Sequence, residues 1–187
     1  MKKRLIVGAA LLAALVTGAA QAEAPPTQVQ ACVACHGANG VSGTPAWPNL
    51  AGQHETYLAQ QLTAMRAGER SNPLMDPFVQ NLSDDDIRVL ASWYAAQEPA
   101  TAANGDAGLV ERGRQLAGAC SACHGYAGKP VADEWPILAG QHAAYLRTQL
   151  QAYKHDVRIH PLMQAAVAQL AEKEFAALAA YYSQLQR

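Results

Sequence analysis

Apolar positions recur with helical spacing through much of the chain. Ile87, Leu90, Ala91 and Tyr94 fall at i, i+3, i+4 and i+7, which puts them on one face of a helix. Ser83 ahead of them is a good N-cap residue, and Asp84-Asp85-Asp86 places negative charge in the first turn, where the helix dipole favours it. Phe175, Leu178, Ala179 and Tyr182 repeat the pattern behind Glu172-Lys173-Glu174. A further helix is expected from about His54 to Ala67, apolar at Tyr57, Leu58, Leu62 and Met65, with a twin from His142 to Lys154. The segments between are rich in Gly, Pro and Asn and lack the alternation a strand needs. The expected class is all-α, with long loops wrapped around something.

One apolar run is continuous rather than periodic. Leu5 to Val16 follows the basic start Met1-Lys2-Lys3-Arg4 and ends near Ala20-Gln21-Ala22, which fits a small-x-small cleavage site. That is the plan of a secretory signal peptide over residues 1–22, so the mature chain is expected to be exported and to begin near Glu23. The run is short for a membrane span, and no later stretch is long enough either.

The rest of the sequence is written twice. Cys32-Val33-Ala34-Cys35-His36 returns 88 residues later as Cys120-Ser121-Ala122-Cys123-His124. Trp47-Pro48-Asn49-Leu50-Ala51-Gly52-Gln53-His54 returns as Trp135-Pro136-Ile137-Leu138-Ala139-Gly140-Gln141-His142, and Pro73-Leu74-Met75 as Pro161-Leu162-Met163. The register holds without a gap, which makes the chain an internal duplication. Two units are expected, 23–96 and 107–187, joined by a linker at 97–106 that contains Pro99 and the breaker pair Asn104-Gly105. Units of about 80 residues are marginal without staples, metals or a cofactor.

Composition sharpens this. Only 12 of 187 residues are aromatic, so each unit needs something large and apolar at its centre. A net charge of −1 gives no basic footprint for nucleic acid. The figure conceals an imbalance, because residues 1–22 carry +3, residues 23–104 carry −5 and residues 105–187 carry +1. Two such units are expected to show different faces to different partners, with steering that weakens in salt.

Four chemistries compete for Cys-x-x-Cys-His. Structural zinc would need matching ligand pairs elsewhere. A thioredoxin-type dithiol would sit beside a βαβ pattern, which is absent. A disulfide within Cys-x-x-Cys would be strained and would hold little together. The fourth reading is c-type haem attachment, in which both thiols add to haem vinyl groups and the adjacent histidine meets the iron. Two motifs in register on an exported chain point to two covalently bound haem c groups, at Cys32, Cys35 and His36, and at Cys120, Cys123 and His124.

A proximal histidine leaves the opposite iron face open. Met75 and Met163 coincide under the repeat, each 40 residues past its motif and each preceded by Pro-Leu. Proline there is expected to stop a helix and set an extended loop. Met65 is weaker because its counterpart is Tyr153, and a helical methionine suits core filling. His54 and His142 also coincide, each opening a helix, while His155 and His160 have no histidine counterpart and are expected at the surface. Histidine–methionine ligation would fill both axial positions and raise the potential relative to two histidines, which suits electron transfer.

Taken together, the paired Cys-x-x-Cys-His motifs, the Pro-x-Leu-Ala-Gly-Gln segments, the Pro-Leu-Met segments and the C-terminal helices resemble the cytochrome c4 family of exported dihaem cytochromes. The resemblance spans nearly all of the mature chain. It implies two class I cytochrome c folds related by a pseudo-twofold, with haem propionates near the interface. It also implies a periplasmic location, sometimes with peripheral membrane association, and redox partners of the respiratory chain: a terminal oxidase, a cytochrome bc complex or a dehydrogenase. By position, Pro48 and Pro136 would offer backbone carbonyls to the rings of His36 and His124. Tyr57, Tyr145, Gln61 and Gln149 would reach propionates or line the interface. One departure is the short run before the first motif, which leaves room only for a short N-terminal helix; Asp106 to Ala119 allows a full one, with Gly113 as a close-contact point. The leading function is a mobile electron carrier rather than an enzyme. The alternative is the dihaem subunit of a dehydrogenase complex, with a dihaem peroxidase as a third class.

Overall fold

The computed structural model describes residues 24–187; the expected signal peptide lies outside the described residues. Nine α-helices are present among them and no strand: α1 (Gln30–His36), α2 (Glu55–Arg66), α3 (Asp76–Val79), α4 (Asp84–Ala95), α5 (Val110–Leu116), α6 (Ser121–His124), α7 (Ala143–Lys154), α8 (Pro161–Val167) and α9 (Glu172–Gln184). Local chemistry fixes their ends. Ser83 Oγ accepts the Asp86 N–H at 3.1 Å while Asp86 Oδ2 accepts the Ser83 N–H at 3.0 Å, a reciprocal cap on α4. At the equivalent place on α9, Ala171 has no side-chain acceptor, so only the return bond survives, from Ala171 N–H to Glu174 Oε2 at 2.9 Å.

The duplication extends to the core, position for position. Val29, Leu58, Leu90, Ala91 and Tyr94 form the buried centre of the first unit. Ala117, Leu146, Leu178, Ala179 and Tyr182 form that of the second, each 88 residues on. Cys32 packs against the first cluster and Cys120 against the second. Met65, Val79 and Ile87 are also buried in the first unit, and in the second Tyr153, the counterpart of Met65, forms a further buried cluster with Val167 and Phe175.

The units differ at their N-terminal helices, as the shortened first run predicts. In the first, a 3-10 turn at Thr27–Val29 packs on α4 and leads into the seven-residue α1. In the second, the helix breaks into a 3-10 turn (Ala107–Leu109), α5, another 3-10 turn (Ala117–Cys120) and α6, with α5 laid along α9. Gly113 permits that approach, because a Cβ there would stand 2.0 Å from the Ala177 carbonyl oxygen.

One expectation is corrected. Pro-Leu-Met does not form an extended loop. Pro161 occupies the first turn of α8, where its missing N–H costs nothing and its fixed φ suits the helix. Met163 therefore lies within that first turn, and Met75 is the N-cap of α3.

Gly113→Leu should lower stability by about 1–3 kcal/mol through overpacking of α5 on α9, read as a fall in the urea midpoint. Gly118→Ala, where a Cβ meets nothing within 4 Å, should be close to neutral in the same assay.

Candidate haem sites

Each Cys-x-x-Cys-His lies on a short helical segment that ends at its histidine. The chain then turns sharply through Gly37 (φ +79°) and Gly125 (φ +72°), where a side chain would strike the carbonyl oxygens of Val41 and Lys129 at 2.1 and 2.2 Å. The turn sends the loop back over the motif. His36 Nδ1 donates to the Pro48 carbonyl at 3.0 Å, and His124 Nδ1 to the Pro136 carbonyl at 3.2 Å. A carbonyl only accepts, so the proton sits on Nδ1 and the Nε2 lone pair remains free. Burial pushes the proton affinity of both rings down against the opposing pull of the proline carbonyl, which favours this neutral form. Trp135 meets the His124 ring edge-on at 6.2 Å.

No disulfide joins the four cysteines; Cys32, Cys35 and Cys120 are half-buried and Cys123 is exposed. Burial raises the Cys32 and Cys120 thiols above their ordinary range. No three His, Cys, Asp or Glu side chains converge on a metal-holding set among the described residues. Met75 and Met163 are half-buried and sit behind the exposed Leu74 and Leu162. His160, the N-cap of α8, accepts the Met163 N–H at Nδ1 at 3.4 Å and meets the Tyr153 ring edge-on at 6.5 Å. His54 and His142 are the N-caps of α2 and α7. His155 and His160 are exposed, and His155 pairs with Glu172 at 3.0 Å.

The units meet through a reciprocal exchange. Gln53 accepts the Ile137 N–H at 2.9 Å and donates to the Ile137 carbonyl at 3.0 Å. Gln141 accepts the Asn49 N–H at 2.8 Å and donates to the Asn49 carbonyl at 2.9 Å. Gln53 and Gln141 are repeat partners, as are Asn49 and Ile137, so this is a two-fold interface within one chain.

A second reciprocal set brings Tyr57, Tyr145, Gln61 and Gln149 to the interface, where they were expected, around two arginines that sequence reasoning missed. Arg70 donates to Gln61 in its own unit at 2.9 Å and to Tyr145 and Gln149 in the other at 3.3 and 3.2 Å. Arg158 donates to Gln149 at 2.7 Å and, across the interface, to Tyr57 and Gln61 at 3.1 and 2.6 Å. Both arginines are buried, at 9% and 8% exposure, and neither forms an ion pair with a carboxylate. Burial alone would raise the Tyr145 phenol, but the two guanidiniums outweigh it and hold it below its ordinary value. The signal was available: Arg70 and Arg158 coincide under the repeat, five residues before each Pro-Leu-Met methionine.

These residues fit haem c. Each unit presents two thiols one helical turn apart, a neutral imidazole with a free Nε2, and apolar side chains left uncovered, among them Leu74, Phe78 and Leu162. The buried, carboxylate-free guanidiniums suit an anionic edge.

Comparison with known proteins agrees. The cytochrome c profile matches residues 110–186, and the profile of cytochrome c oxidase, cbb3-type, subunit III matches residues 19–93. Cytochrome c4 of Pseudomonas aeruginosa is 35% identical over 184 residues, covering 91% of this chain and 91% of that protein. A thiosulfate dehydrogenase electron acceptor of Thiomonas intermedia is 38% identical, covering 83% and 77%. The crystal structure of reduced recombinant cytochrome c4 from Pseudomonas stutzeri superposes with a TM-score of 0.80 at 32% identity, covering 85% of this chain and 95% of that one.

Replacing Gln53 or Gln141 with alanine leaves the N–H and carbonyl of half-buried Ile137, or of buried Asn49, without these partners in the opposite unit. Each substitution should cost about 1–3 kcal/mol, measured by denaturant unfolding of the haem-loaded protein. The two losses should be similar in size, because the bonds they remove are related by the pseudo-twofold.

Proposed function

The chain belongs to the cytochrome c4 family, and from that premise we infer where its two covalently bound haems sit and how they are used. The protein is a dihaem electron carrier, not an enzyme. In this reading Cys32 and Cys35 hold one haem and Cys120 and Cys123 the other, within units spanning 23–96 and 107–187. His36 and His124, through Nε2, and Met75 and Met163, through their thioether sulfurs, would hold the iron. The observation that carries the assignment is the matched pair of Nδ1–carbonyl bonds from His36 to Pro48 and from His124 to Pro136. Such a bond fixes the tautomer, aims the ring and raises the basicity of the coordinating nitrogen.

When bound, haem supplies a one-electron iron couple whose potential the protein tunes. The residues of this chain orient and insulate it. The thioether ligands favour reduced iron and leave no open position for a substrate. Arg70 and Arg158 would meet the haem carboxylates at the interface, with Tyr57, Tyr145, Gln61 and Gln149 holding the guanidiniums in place.

The expected setting is the periplasm, reached through the N-terminal segment; no helix among the described residues is long and apolar enough to cross a membrane. Electrons would pass from respiratory donors to a terminal oxidase, with the acidic first unit and the slightly basic second unit facing different partners. A second reading is favoured by one relative: at 38% identity to a thiosulfate dehydrogenase electron acceptor, the chain would serve as the dihaem acceptor of a dehydrogenase.

Reductive titration of the purified protein should show two haems per chain and a methionine-to-ferric-iron band from both. Met75→Ala and Met163→Ala should each remove about half of that band and open one haem to carbon monoxide, which the unmodified protein should not bind rapidly. Full retention of the band in either variant would displace that methionine from the ligand set. Native purification in tight complex with a dehydrogenase subunit would select the second reading over the free carrier.

A further inference from the structure

His142 has no part in haem binding, yet it joins three segments of the chain. It is the N-cap of α7 and only 7% exposed. Its Nε2 lies 3.0 Å from the Ser42 carbonyl oxygen in the first unit. Its Nδ1 lies 2.7 Å from Nδ2 of Asn104 in the connecting segment. The protonation state follows from the neighbours. Asn104 Oδ1 accepts the Ala143 N–H at 3.0 Å, which turns the Asn104 amide nitrogen toward the imidazole. Nδ1 must therefore accept, and the single ring proton on Nε2 donates to Ser42.

An imidazolium does not fit this arrangement. A proton on Nδ1 would face the Asn104 amide hydrogens, and flipping that amide would set them against the Ala143 N–H. The N-terminus of the 12-residue α7 also disfavours a cation. Among the described residues no carboxylate side chain pairs with the ring. The first-unit loop brings Ser42 and Asn49, the preceding loop brings Gln141, and the connecting segment brings Asn104. Asp106, on that segment, turns its carboxylate to the Gly108 N–H at 2.8 Å. Arg187, over the neighbouring Gly140, carries the same sign as an imidazolium. Burial accordingly lowers the His142 proton affinity, against the pull of the Ser42 carbonyl.

The arrangement is one-sided. Under the repeat, Ser42 corresponds to Pro130, and His54 Nδ1 is buried with no hydrogen-bond partner. Ser42 is also not an idle acceptor. Its hydroxyl donates to the Cys35 carbonyl at 2.9 Å, and its N–H donates to Asn49 Oδ1 at 2.9 Å, on the residue whose backbone Gln141 grips.

We propose that His142 is a proton-sensitive latch between the two units, closed only as neutral imidazole, and that it positions the first unit's Cys-x-x-Cys-His loop from the second. Latched, the ring stays neutral; released, it regains an ordinary imidazole affinity and takes up a proton in mildly acidic solution. The released state then binds more protons, so docking is strongest above the released value of about 6.5 and weakens as pH falls below it. From about pH 7.5 to about pH 5.5 the opening equilibrium shifts by up to about ten-fold.

The test is hydrogen exchange on the haem-loaded full chain, corrected for intrinsic rates, at the Asn49 and Ile137 amides that bond across the interface. Protection at both should fall by up to about ten-fold over that pH interval. His142→Gln, which cannot titrate, should abolish the fall even if it lowers protection at both pH values; His54→Gln should leave it intact. Asn104→Asp offers a carboxylate to a protonated Nδ1, so its protection should hold steady or rise on acidification. Protection independent of pH in the unmodified protein would overturn the proposal. So would an undiminished fall in either His142→Gln or Asn104→Asp.

Discussion

A loop without regular structure must still satisfy its backbone, and in this protein that requirement links the orientation of His36 and His124 to domain docking. The segment from Gly37 to His54, like its copy from Gly125 to His142, closes on itself through turn bonds but leaves the groups at Pro48–Asn49 and Pro136–Ile137 to side chains. At Pro48 the carbonyl is taken by His36 of the same unit. At the very next residue, Asn49, both backbone groups are taken by Gln141 of the other unit. Pro136 and Ile137 repeat the arrangement. The orientation of each histidine is thus set by a strand of backbone whose next bonds belong to the opposite unit. Displacing one unit disturbs the ring in the other, because the Pro48 carbonyl and the Asn49 N–H belong to one planar peptide group, as do those of Pro136 and Ile137.

Duplication gives this coupling its symmetry, and later divergence limits it. The five core positions and the glutamine and arginine exchanges all obey the same shift of 88 residues. Departures gather where the units have different work. Asn72 is replaced by His160 at the head of α8, Ser42 by Pro130 at the latch, and the helical run ahead of the motif, from Thr27 in the first unit and Ala107 in the second, is longer in the second. A carrier that takes electrons at one end and gives them at the other gains from such asymmetry, since identical units would present identical faces.

Much of this was legible in the sequence because it is periodic or repeated. Helix faces follow from Ile87, Leu90, Ala91 and Tyr94, and α4 begins where Ser83 and Asp86 can cap each other. Cys-x-x-Cys-His announces its chemistry by spacing alone. The conformation of Pro-Leu-Met was not legible, because proline is equally at home ending a helix and opening one, and only packing decides. Arg70 and Arg158 escaped for a different reason. A lone arginine in a Gly- and Asn-bearing loop reads as solvated surface, and its burial depends on a unit 88 residues away. Position under the repeat was the one available sign, and it acquires meaning only when the interface is seen.

That arginine pair also bears on why the units dock. Burying a guanidinium costs several kcal/mol unless it is compensated, and tyrosine hydroxyls and glutamine carbonyls compensate only partly. The glutamine exchange contributes hydrogen bonds that water would otherwise make, each worth about 1 kcal/mol net. Protein contacts alone therefore leave this interface with a surplus of buried positive charge, consistent with the depressed Tyr145 phenol between the two cations. A group that brings carboxylates to Arg70 and Arg158 changes the balance from cost to gain. Haem c carries such carboxylates, and with them at Arg70 and Arg158, as we propose, loading each unit and docking it against the other would become parts of one equilibrium.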